Sequence, residues 1–208
     1  MTSQIQNPLR RRWLGALGAM GFAAAFGASG ALSTMSANRA FAAGTDAAKP
    51  RILILYFSWS GSSEAVAREA ARLTGGKLAR VETAKPYPAE YQALTEAAKA
   101  EREADARPAL KPGLPNPQDY DVIVIGHPIW SGRMPNALRG YIETHDFSGK
   151  TIAHFATHGG SGLGESDEEL RSLLPKSQFT EGLAVYGWGG VRDLAPVGEW
   201  LKKIGLVK

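Results

Sequence analysis

The chain has 208 residues, 24 Lys and Arg against 20 Asp and Glu, four histidines and no cysteine. That length allows one domain with a full hydrophobic core. The absence of cysteine excludes disulfides, a thiolate nucleophile and a cysteine metal site, and four scattered histidines argue against a metal centre.

Residues 1–42 read as an export signal, not as fold. Arg10-Arg11-Arg12-Trp13-Leu14 opens a Gly/Ala-rich stretch, and Ala40-Phe41-Ala42 is a small-x-small cleavage signal before Ala43. Paired arginines followed by an aromatic and a leucine resemble a twin-arginine signal. The weak apolar region suits that route better than an anchor, although an uncleaved anchor helix is the alternative. The segment holds Arg10, Arg11, Arg12 and Arg39 and no acid, so its removal leaves 20 basic against 20 acidic residues. A near-neutral product gives no support to nucleic-acid binding. The expected location is periplasmic or secreted, with membrane contact only during export.

Residues 43–50 read as a flexible lead-in. Arg51–Phe57 is a short, β-branched apolar run that suits a strand buried on both faces. Ser58-Trp59-Ser60-Gly61-Ser62-Ser63 follows, then a helix over Ser63–Leu73 with Ala65, Val66, Ala70 and Leu73 on its buried face. Thr74-Gly75-Gly76 stops it. Leu78–Glu82 is a second strand, and Ala89–Ala104 a largely solvated helix. Pro108, Pro112, Pro115 and Pro117 exclude regular structure between them. Tyr120–Gly126 is the third strand. A loop, His127–Met134, leads to a helix over Pro135–Thr144. Thr151–Ala156 is the fourth strand and Thr157–Gly164 a glycine-rich loop. A capping box, Ser166-x-x-Glu169, opens the next helix, which ends near Leu174. Gly182–Tyr186 is the fifth strand and Asp193–Ile204 the last helix, with Trp200, Leu201 and Ile204 on one face. Five alternations of strand and helix imply a single α/β domain, a doubly wound, five-stranded parallel sheet with right-handed crossovers.

In such a sheet the βα loops share the carboxyl edge, where ligands bind. Three of them have unusual composition. The first, Ser58 to Ser63, puts four hydroxyls and a glycine before a helix N-terminus, where unpaired N–H groups and the helix dipole favour an anion. It reads as a phosphate loop, or as an ordinary turn with a serine cap; it is neither a Walker loop nor GxGxxG. The second holds Pro128, Ile129, Trp130, Ser131 and Gly132. A tryptophan braced by prolines has little core to enter and can stack on a flat ring; packing on a neighbouring helix is the alternative. The third holds Thr157, His158, Gly159, Gly160 and Gly162, whose backbone can approach a planar ligand closely. His158 reads equally as a ligand contact and as a structural histidine, while His127 and His154 are expected to find local bonds. A phosphate, a flat ring and a polar ring edge together describe flavin mononucleotide, FMN.

The residues from Arg51 to Val207 resemble the flavodoxin-like family, in particular its branch with GxPIW and THGGSG motifs. Here these stand as Gly126-His127-Pro128-Ile129-Trp130 and Thr157-His158-Gly159-Gly160-Ser161-Gly162, accompanied by Tyr87-Pro88-Ala89-Glu90-Tyr91, Arg107-Pro108, Tyr120-Asp121 and Phe147-Ser148-Gly149-Lys150-Thr151. The resemblance implies that 51–208 is an FMN-binding domain with strand order 2-1-3-4-5 and electron transfer at the isoalloxazine. It places Ser58, Ser60, Gly61, Ser62 and Ser63 at the phosphate; Trp59 reads as a loop-surface or a phosphate-flanking residue. Pro128 to Gly132 then lie at one side of the ring, and Thr157, His158, Gly159, Gly160 and Gly162 at the other. Ser60 and Ser63 stand where threonine is usual, which keeps the hydroxyls. Ser131 follows Trp130 where this branch often has a second aromatic, which weakens the case for a two-sided aromatic sandwich. The implied partner is a redox protein or a small electron acceptor such as a quinone. An NAD(P)H-dependent FMN/quinone oxidoreductase and a flavin-free binding module are the alternatives. Trp188-Gly189-Gly190 reads as a mobile loop over the site or as a turn before the last helix.

Overall fold

A computed structural model describes residues 49–208. The export signal, 1–42, and residues 43–48 of the lead-in lie outside the described residues. The elements alternate as the apolar runs require: β1 (Ile52–Tyr56), α1 (Ser62–Thr74), β2 (Lys77–Arg80), α2 (Tyr91–Glu103), a 3-10 turn (Pro117–Asp119), β3 (Val122–Pro128), α3 (Asn136–Thr144), β4 (Thr151–His158), α4 (Ser166–Leu173), β5 (Gln178–Phe179), β6 (Leu183–Tyr186) and α5 (Ala195–Lys203). All strand pairings within the sheet are parallel, in the order β2-β1-β3-β4-β5, and β6 also pairs with β4.

The period of two along each strand builds two cores. Leu53, Leu55, Ile123, Ile125 and Ile152 face α3 and α4. Ile54, Val122, Val124, Ala153 and Phe155 face α1 and α5. In α1 the buried stripe is Val66, Ala67 and Ala70, joined by Ser62, Ser63 and Thr74. Ala67 thus takes the place expected of Ala65, and Leu73 is only partly covered. Helix α2 buries Leu94 alone.

Four expectations need correction. First, the fifth strand is broken, which gives six strands in the sheet. Thr151 and Ile152 pair with Gln178 and Phe179, and Phe155 next pairs with Leu183, so Thr180, Glu181 and Gly182 stand opposite Ala153 and His154. The extra residue is a bulge, and the His154 ring fills the space beside Gly182, where a Cβ would lie 2.4 Å from Cε1. Second, β3 and β4 run on through His127-Pro128 and Thr157-His158, which the sequence places in loops. Third, the capping box does not form. Ser166 is the first helical residue and donates to Leu163 O at 2.6 Å. Glu169 instead accepts from Met134 N at 3.4 Å and Arg139 Nη1 at 3.2 Å. Fourth, His154 is fully buried and neither ring nitrogen has a hydrogen-bond partner, whereas the equally buried His127 finds the expected local bond, Nδ1 to Pro128 O at 3.2 Å, and leaves only Nε2 without one.

Candidate functional site

The strand order reverses between β1 and β3, so the carboxyl edge there opens a crevice. The three loops singled out by composition meet at this edge and are stitched together. Ser63 Oγ lies 2.7 Å from Thr157 Oγ1. Ile129 N donates to Thr157 O at 2.9 Å, and Glu165 N to Gly132 O at 2.7 Å. A Cβ at Gly164 would stand 2.3 Å from Gly132 O, so that approach requires glycine. Thr157 is buried at the hub of all three segments.

Helix α1 begins without a side-chain cap. Gly61 takes the left-handed conformation at its N-cap (φ 91°), which a residue with a Cβ adopts reluctantly. The first intrahelical bond is Ala65 N to Gly61 O, and among the described residues the N–H groups of Ser62, Ser63 and Glu64 meet no acceptor. The hydroxyls are partly committed. Ser58 Oγ accepts from Gly61 N at 3.1 Å, Ser60 Oγ donates to Ser62 Oγ at 3.3 Å, and Ser62 Oγ donates to Gly187 O at 2.9 Å. Ser63 and Thr157 have two hydroxyl protons and spend one on each other, so one is left to donate. Glu64, in the first turn, would repel an anion. Its carboxylate is instead occupied by Arg68 at 2.6 Å and Arg80 at 3.0 Å, and Arg80 also donates to Ser58 O at 2.9 Å.

The second loop is a tight reversal. Trp130 and Arg133 exchange backbone hydrogen bonds, with positive φ at Ser131 (48°) and Gly132 (87°), as a two-residue hairpin turn demands. Arg102 of α2 reaches across and donates to the carbonyls of Trp130 and Ser131. Arg133 pairs with Glu165 at 2.8 Å. Trp130 is partly buried and packs against the edge of the core. Its ring lies edge-on to Phe57 at 5.3 Å and to Tyr87 at 5.1 Å, and the group packs on the α3 side of the sheet. Tyr87 O–H donates to Glu101 at 2.7 Å. Burial, then that bond, raises the Tyr87 pKa; burial also raises that of Glu101, opposed by the same bond.

In the third loop His158 Nδ1 accepts from Gly160 N at 2.9 Å. Gly160 and Gly162 have positive φ and open space around them. Trp59 is half-buried and donates from Nε1 to Pro88 O at 2.8 Å. Composition gave no role to Tyr91, Tyr186 or Gly187 and left Trp188 between a loop and a turn. Yet Trp188 sits edge-on to Tyr91 at 5.6 Å, and a side chain at Gly159 would meet its ring at 3.2 Å. An exposed aromatic followed by Gly189-Gly190 was the only local signal. Two concavities, of about 430 and 330 Å³, lie elsewhere, one against Tyr141 and His145 and the other around Phe147 and Pro175.

A sequence model of the family described as flavodoxin matches residues 51–204. A presumed flavoprotein from Bacteroides eggerthii is 32% identical, with a TM-score of 0.66 over 76% of this chain and 99% of its own. A second, from Bacteroides uniformis, is 30% identical, with a TM-score of 0.66 over 74% of this chain and 99% of its own. A flavoprotein from Lactobacillus acidophilus solved with FMN is 21% identical, with a TM-score of 0.57 over 73% of this chain and 98% of its own, a likeness of fold alone. Among curated proteins none matches.

Proposed function

Because the chain belongs to the flavodoxin family, we propose that it binds FMN and passes electrons to a redox protein or a small acceptor. We read it as belonging to the branch carrying Gly126-His127-Pro128-Ile129-Trp130 and Thr157–Gly162. The observation that carries the reading is the uncapped start of α1, with free N–H groups at Ser62, Ser63 and Glu64 beside the β1/β3 crevice. Strand order 2-1-3-4-5 with a ligand at that switch point is a rule for which flavodoxins are themselves an example.

The residues fit the group. The free amides and the helix dipole supply positive potential for a phosphate without a lysine. Arg68 and Arg80 neutralise Glu64, the one acid in that turn. Bound FMN would supply one- or two-electron chemistry at its ring. Around it the chain binds and orients. Arg102 fixes the carbonyls of the Trp130 turn, Thr157 ties the turn to the phosphate loop, and Gly159 to Gly162 present backbone to the polar ring edge. Phe57, Tyr87 and Trp130 wall one side with apolar surface that excludes water.

The test is purification with the native signal. A yellow protein with a flavin spectrum, releasing FMN and not riboflavin on denaturation, is the expected result; a colourless protein that takes up no FMN overturns the reading. Oxidation of NAD(P)H with a quinone would turn a carrier into a reductase.

We further propose that residues 1–42 export the chain folded and loaded. Arg10-Arg11 and the weak apolar region support a twin-arginine route. FMN is made in the cytoplasm, and a bound ligand stabilises the fold by about 2.7 kcal/mol at a hundredfold excess over Kd. Replacing Arg10 and Arg11 with lysine keeps the charge but loses the paired guanidinium geometry. Yellow precursor should then accumulate inside the cell; normal export of that variant points to a general secretory signal.

A further inference from the structure

We propose that Tyr91 and Trp188 form an aromatic clasp that closes over the 58–63 loop and retains a ligand whose phosphate rests there. The proposal builds on the FMN reading and goes beyond it. The large hydrophobics that stand exposed among the described residues are Tyr91, Tyr186 and Trp188, at 57, 58 and 60%. All three flank the carboxyl edge. Contiguous exposed aromatic surface marks an interaction site.

Two of them touch although they come from opposite flanks of the loop. Tyr91 opens α2, and Trp188 follows β6. Their rings meet edge to face at 5.6 Å. On one side Tyr91 leans on Trp59 at 6.4 Å, and Trp59 is held by its bond to Pro88 O. On the other, Gly187 accepts from Ser62 Oγ and donates to His158 O at 2.9 Å. The contacts close a circuit: Tyr91, Trp59, Ser60, Gly61, Ser62, Gly187, Trp188 and back to Tyr91. The start of α1 with its free amides belongs to that circuit. A ligand anchored on those amides would therefore be passed only when the Tyr91–Trp188 contact opens.

The contact is built to open. Trp188 is carried on a turn closed by Gly190 N to Gly187 O at 3.1 Å, with positive φ at Gly189 (75°) and Gly190 (101°) and nothing within 4 Å of a Cβ at either. An edge-to-face pair favours the closed form by only about two- to tenfold. That is small enough to admit a ligand, and a bound flat ring adds further aromatic contact once inside. The clasp acts on retention.

The chain has no cysteine, so Tyr91→Cys/Trp188→Cys can be joined selectively with a short bis-maleimide. Cross-linked after loading, the protein should keep FMN through prolonged dialysis; cross-linked before loading, it should fail to take FMN up. In the uncross-linked chain, Trp188→Ala and Tyr91→Ala should each raise the FMN dissociation rate about tenfold, the double variant little more, and Trp188→Phe should restore slow release. Release from Trp188→Ala at the wild-type rate, or free exchange of FMN through the cross-linked protein, overturns the clasp while leaving the site reading intact. A wild type that binds no FMN overturns both.

Discussion

Gly126 of β3 stands opposite Phe155 of β4, and the Phe155 ring occupies the volume in which a Gly126 Cβ would lie, 2.0 Å from Cζ. The close approach lets β3 continue straight into His127 and Pro128 and deliver Trp130 to the crevice. Gly126→Ala should destabilise the fold by about 1–3 kcal/mol through overpacking. Urea denaturation measures this directly. Gly126→Ala/Phe155→Leu should recover part of the loss, and a variant as stable as wild type would show that the ring moves aside freely.

The Ser63–Thr157 hydroxyl pair links the start of α1 to the end of β4. Hydrogen bonds to a charged acceptor are worth about 1.5–3 kcal/mol each, so Ser60→Ala/Ser63→Ala should weaken FMN binding by about two orders of magnitude or more. Thr157→Val should cost about 1 kcal/mol of stability and less affinity than Ser63→Ala, because the Ser63 proton is then free for the ligand. Fluorescence titration with FMN, and with riboflavin as the phosphate-free control, separates the two. Equal FMN affinity in the double serine variant and wild type removes these hydroxyls from the phosphate site.

Arg102 forks onto two carbonyls of the Trp130 turn, and lysine cannot reproduce that fork. Arg102→Lys should leave the fold intact, shift Trp130 emission to the red and weaken FMN binding by about tenfold, roughly one hydrogen bond to a charged group. Unchanged emission and affinity would mean that the turn holds itself.

The buried His127–His154 pair predicts acid sensitivity. Burial, then the neighbouring His154, lowers the His127 pKa to about 3; burial lowers that of His154, partly offset by Asp167 at 3.7 Å and reinforced by Arg171. A folded-state pKa below the unfolded value of about 6.5 means that the unfolded chain binds protons first. Stability is therefore full above pH 6.5 and falls as pH drops toward 3 through His127, by up to about 1.4 kcal/mol per pH unit, with His154 acting in the same direction. The denaturant midpoint against pH measures it. His127→Leu should flatten that acid limb, and an unaltered limb would assign acid lability to the carboxylates.

How far the sequence reached follows from what local pattern can encode. The apolar runs 52–57 and 122–125 are short and stop abruptly, which favours buried strands over buried helix segments, and hydroxyls and glycines collect in the connections after them. Those features gave the alternation, the parallel sheet and the three loops at one edge, because each depends on residues a few positions apart. The tertiary structure decided the rest. Thr157 is a loop residue by composition, yet pairing with Pro128 and the bond to Ser63 make it strand. Glu169 fits a capping box, but Met134 N and Arg139 compete for its carboxylate and win. The fifth strand breaks because His154, on a neighbouring strand, fills the space beside Gly182. Trp130 packs against the core because the segments after β1 and before α2 bring Phe57 and Tyr87 to it. Tyr91 and Trp188 lie 97 positions apart, and only the register of the sheet and the crossovers between its strands set their rings against each other.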